Sequence, residues 1–81
     1  MDVLVITETL NGIISGHRVF LLQGTDEEKN AKIKLAEDVF IACAKENIPN
    51  LDDEDLQNAL DDGYIDDDNG YEITFRWEVA E

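Results

Sequence analysis

From Tyr71 to Val79 the chain alternates without a fault: Tyr71, Ile73, Phe75, Trp77 and Val79 are apolar, and Glu72, Thr74, Arg76 and Glu78 are polar. A period of two over so many residues fits only a strand with one face turned to a core. A different period appears earlier. Ile33, Leu35, Ala36, Val39, Phe40, Ala42, Cys43 and Ala44 cover about half the circumference of a helix at roughly 100° per residue. One chain holding both periods must set a helix on a sheet. The expected core joins Ile33, Val39 and Phe40 to Ile73, Phe75 and Trp77.

The rest of the chain fills in the order. Val3 to Leu10 is rich in β-branched residues, and Asn11-Gly12 separates it from a second apolar run, Ile13 to Leu22. Asn-Gly supplies the two positive-φ positions of a tight hairpin turn. Strands are expected over 3–8 and 18–22, with Gly16 marking a bulge or a looser loop between them. Thr25-Asp26-Glu27-Glu28 forms a capping box, so the long helix is expected over 26–46. Pro49 keeps the residue before it out of helical geometry. A short second helix then starts near Asp52, with Leu51 stapled onto Leu56. Its apolar stripe is Leu56, Ala59 and Leu60, and Gly63 stops it. The turn before Tyr71 has two registers. A three-residue loop with Gly70 at a positive-φ position sets Ile65 opposite Ile73, whereas a two-residue Asn69-Gly70 loop would bury Asp66. The first is expected.

The sum is a single acidic α+β domain spanning 1–81. Its small antiparallel sheet, in the order β-β-α-α-β-β, carries one long core helix and one short acidic helix on one face.

Composition narrows function mainly by exclusion. Twenty acids against six bases leave a net charge of −14 and a pI near 4.1. Direct contact with nucleic-acid phosphates needs the opposite sign. One cysteine excludes an intrachain disulfide, a four-cysteine iron–sulfur cluster and a structural zinc knot. No apolar run approaches the roughly 20 residues that span a bilayer, and the N-terminus lacks a basic signal-peptide start. A cytoplasmic location without membrane contact is therefore expected.

Catalysis finds no constellation. Cys43 falls in the apolar arc of the helix, His17 has no carboxylate partner in view, and Ser15 has no glycine-rich elbow around it. Size and acidity suggest an acyl carrier protein, but Ser15 sits in Ile-Ile-Ser-Gly-His rather than the required Asp-Ser-Leu. Tyr71, Phe75 and Trp77 could stack bases, but acids flank them where a single-strand binder is basic. No enzyme activity and no cofactor are expected. Calcium fares little better. With Gly70 sixth in an EF-hand frame the first position is Ile65 and the twelfth Arg76; with Gly63 sixth the third is Leu60. A weak divalent-ion site at Asp66, Asp67 and Asp68 is the residual metal reading, and no metal ligand is assigned.

The acid is unevenly placed. Residues 1–49 hold eight acids and five bases, whereas residues 50–81 hold twelve acids and only Arg76. At helical spacing Asp53, Glu54, Asp55, Asp61 and Asp62 point away from the apolar stripe, and Asp66, Asp67 and Asp68 continue the charge. A helix rising about 1.5 Å per residue can approach the density of duplex DNA, about one charge per 1.7 Å of axis. The expectation is a binding module whose face over 52–68 meets a basic protein surface, including that of a nucleic-acid-binding protein. In size, charge and mixed α/β content the chain is similar to small acidic nucleic-acid mimics of phages and mobile elements, some anti-CRISPR and antirestriction proteins among them. That likeness would imply an inhibitor, and it carries over no residue. The competing readings are a structural or regulatory partner, monomer or homodimer, whose acid serves only solubility, and the weak cation module.

Overall fold

The computed structural model describes residues 1–79. Six elements follow the expected order: β1 (Asp2–Leu10), β2 (Ile13–Leu22), α1 (Asp26–Asn47), α2 (Asp53–Asp62), β3 (Tyr64–Asp66) and β4 (Tyr71–Val79). The strands form one antiparallel sheet in the order β2-β1-β4-β3. The first strand of the chain thus lies beside the last, and the two helices carry the chain from β2 at one edge of the sheet to β3 at the other.

Local chemistry fixes the ends. Asn11 and Gly12 take φ of 54° and 83°, closing a hairpin in which Leu10 faces Ile13. The register then slips once, so that Glu8 faces Gly16, Thr9 faces Ile14, and Ser15 is the extra residue of a bulge. β2 is accordingly longer than the expected 18–22. At α1 the Glu28 amide donates to Thr25 Oγ1 at 3.2 Å, and the Thr25 amide donates to Glu28 Oε1 at 3.3 Å. Ile48 turns extended before Pro49 and closes α1 with a 2.8 Å bond to the Ala44 carbonyl. Gly63 ends α2 at φ 70°, in the left-handed region. β3 pairs in the bulged register: Ile65 faces Ile73 and Asp66 faces Glu72, with Gly70 at φ 106°.

Both helices cover one face of the sheet. Ile6, Phe40, Cys43, Ala44, Ile48, Leu56, Ala59, Tyr71 and Ile73 form the main core, and Leu4, Leu22 and Ala36 a smaller cluster. Phe20 and Phe75 pack against both. Phe40 is wholly buried and meets Phe75 edge-on, ring centroids 5.5 Å apart.

Trp77 does not join this core. It is 56% exposed, and Val79 is 74% exposed. β3 pairs only with Glu72, Ile73 and Thr74, so the far half of β4 has β1 on one side and no strand on the other among the described residues. Alternation identifies the face of a strand; it does not say how far the covering layer reaches. Similarly, Leu35 and Ala42 of the wide helical arc are exposed, while Ile33 and Val39 are half-buried. Among the described residues no helix covers the opposite face of the sheet. There Val3 and Val5 are buried among Val19, Leu21, Arg76 and Glu78, their cross-strand neighbours.

Candidate functional site

The expected acidic face divides into three parts with different chemistry. The first is the open face of α2. Asp53, Glu54, Asp61 and Asp62 are all exposed, and among the described residues none accepts a hydrogen bond or ion pair. Leu56 and Ala59 are buried on the other side of the helix. No basic residue occupies α2, including its last turn. Asp53 and Glu54 sit where the helix dipole is positive and favours them; Asp61 and Asp62 sit at its negative end, where a carboxylate is penalised.

The second part is structural. Asp55 is not free to serve a partner alone, because it closes a capping box with Asp52. The Asp55 amide donates to Asp52 Oδ1 at 2.8 Å, and the Asp52 amide donates to Asp55 Oδ2 at 3.3 Å. Asp52 was not among the expected site residues, and its role was legible in Asp-x-x-Asp ahead of an apolar stripe.

The third part is the turn after β3. Asp67 is half-buried, and its Oδ1 accepts the amides of Asn69 at 2.7 Å and Tyr71 at 3.0 Å. Asp66 accepts the Tyr64 hydroxyl and, on Oδ1, the Asp68 amide at 3.3 Å. The Tyr64 bond holds the Asp66 carboxyl below its ordinary range and pushes the Tyr64 hydroxyl up to about 12. Asp68 is exposed, at a φ of 60° that an aspartate tolerates better than most residues. These carboxylates build the loop. Among the described residues no group of three or more His, Cys, Asp or Glu side chains is arranged to hold a metal.

Topology also separates the helix from the turn. The carbonyl of Gly63, which ends α2, accepts the Phe75 amide at 2.8 Å. The acidic turn joins the same strand at Tyr71, four residues away and so about 13 Å along the sheet. It stands at the end of the sheet shared with the β1–β2 hairpin, where the Asn11 amide donates to the Gly70 carbonyl at 2.8 Å.

A polar cluster on the covered face has no counterpart in the sequence reading. Glu8 faces Ile73 and Gly16, which puts its side chain on the side of the helices. Tyr71 Oη donates to Glu8 Oε1 at 2.6 Å. Burial, and after it this bond, pushes the Tyr71 hydroxyl well above its ordinary value. Burial followed by the nearby Glu8 charge pushes the Cys43 thiol up as well. A thiol held protonated in this way is a poor nucleophile.

No helix among the described residues is long and apolar enough to cross a membrane. Comparison with protein-family models, with curated proteins and with solved structures finds no match for this chain.

Proposed function

We propose that this chain is a non-enzymatic binding module whose acidic side docks on a basic protein surface, acting as a nucleic-acid mimic toward a nucleic-acid-binding partner. One observation carries the reading. The outward face of α2 presents Asp53, Glu54, Asp61 and Asp62 with no cation on the helix to balance them. Two of these four oppose the helix dipole, and all add to the self-repulsion of a chain of net charge −14. A cationic partner relieves both costs at once. Asp68 at the turn extends the same field, whereas Asp55, Asp66 and Asp67 contribute charge while holding local structure.

The test uses a basic partner captured at low salt and then purified. Asp53→Asn, Glu54→Gln, Asp61→Asn and Asp62→Asn together should slow association severalfold and leave the fold intact, because long-range attraction sets the encounter rate. Asp38→Asn with Glu46→Gln, in the charge-balanced part of the chain, should change little. Duplex or single-stranded nucleic acid should compete for the partner. Unaltered association by the quadruple variant would reduce the acid to a solvated surface.

A further inference from the structure

The two outer strands of the sheet are finished differently. β3 is three residues long, and its following turn is closed by Asp66 and Asp67. β2 is ten residues long, and among the described residues nothing pairs with its outer edge. About half of its N–H and C=O groups point away from β1. Natural edges of this length are blunted by charged side chains, prolines or bulges, and β2 carries a single one of these charges, Arg18. Here the bulge lies at Ser15, toward the hairpin turn, and the register from Gly16 to Leu22 is regular. Val19 and Leu21 are exposed along that stretch, and Phe20 is half-buried.

Charge selects what can approach. β2 is the one described element without an acidic residue, and it carries Arg18. The depression between this edge and α1 is lined by Val19, Phe20, Leu21, Gln23, Glu28 and Lys32, one acid against one base. Two copies of net charge −14 repel across every other strand and helix. Along β2 alone they can meet without setting acid on acid.

We propose that β2 is the dimerisation edge of this protein: a second copy pairs antiparallel through Gly16–Leu22, making one eight-stranded sheet about a two-fold axis at Val19. An isologous contact of this kind closes both open edges together. Centring on Val19 sets Arg18 opposite Phe20 of the second copy and His17 opposite Leu21, so that neither cation faces itself. Both helical layers then lie on the same side, and the α2 faces point outward.

Sedimentation equilibrium of the full chain from micromolar to millimolar concentration should reach twice the 9.1 kDa chain mass. Raising salt from about 0.05 to 0.5 M should tighten the dimer severalfold, because it screens net repulsion. The acidic-face contact should weaken over the same range, so the two readings fail separately. Val19→Lys should weaken dimerisation about tenfold or more while leaving the circular dichroism spectrum of the dilute monomer unchanged. Amide exchange should show alternate residues of 16–22 protected at high concentration and open on dilution. A monomer at all concentrations, a dimer indifferent to Val19→Lys, or a dimer with β2 amides unprotected would overturn the proposal.

Discussion

Tyr71 and Glu8 stand on neighbouring strands, diagonal in register, and the 2.6 Å bond from Tyr71 Oη to Glu8 Oε1 places a half-buried carboxylate at the rim of the core. A carboxylate oxygen taken from water there costs free energy unless a donor faces it. Tyr71→Phe preserves the ring and removes the donor. It should cost about 1.5–3 kcal/mol, the range for a hydrogen bond to a charged group, measured by urea unfolding. Tyr71, together with Cys43, sets the alkaline limit. Tyr71 and Cys43 are neutral when protonated, and both are raised above their ordinary values of 10.0 and 9.0. Their contribution is full below those values and is lost as pH rises through the raised ones. The melting temperature should therefore fall above about pH 9, and less so in Tyr71→Phe.

At the β3–β4 turn, Asp67 is a loop former first and a charge second. Asp67→Ala strips the acceptor from two backbone amides and should cost about 1–3 kcal/mol, whereas Asp67→Asn retains Oδ1 and should cost less. Since Asp67 Oδ1 is engaged by two amides, millimolar Ca²⁺ and Mg²⁺ at equal ionic strength should shift the melting temperature by similar small amounts. Calcium-selective stabilisation abolished in Asp67→Asn would restore a cation site here.

Phe40 and Trp77 occupy opposite environments, and a different measurement checks each. Phe40→Ala opens a cavity at a wholly buried site and should cost about 3–5 kcal/mol, enough to unfold much of so small a domain. Trp77 is largely in water, so native emission should already be red-shifted and should move little on unfolding. A blue-shifted native spectrum would put the indole back in the core.

Within α2 the acids should separate by position. Asp52→Ala removes the N-cap and should cost about 1 kcal/mol. Asp62→Lys, at the negative end of the dipole, should stabilise by about 0.3–1 kcal/mol at low salt. Thermal melts in low and high salt would resolve both, and loss of stability on Asp62→Lys would mean that this carboxylate has an intramolecular partner.

Much of this fold is written in nearest neighbours. Asn11-Gly12, Thr25 with Glu28, Pro49, Gly63 and Gly70 each act through their own few residues, so turns, caps and element order follow from sequence. Ile65 found Ile73 because the alternative register would bury Asp66. The exposure of Asp53, Glu54, Asp61 and Asp62 was equally legible, since helical geometry alone turns them from Leu56 and Ala59. What tertiary structure decided was reach and company. Trp77 continues a perfect apolar alternation, yet β3 reaches no further along β4 than Thr74 and leaves it in water. Glu8 sits in an ordinary strand sequence, yet pairing with β4 brings it to Tyr71, and the bulge at Ser15 sets Gly16 opposite it. Periodicity encodes which way a side chain points; only the packed chain settles whether anything is there to meet it.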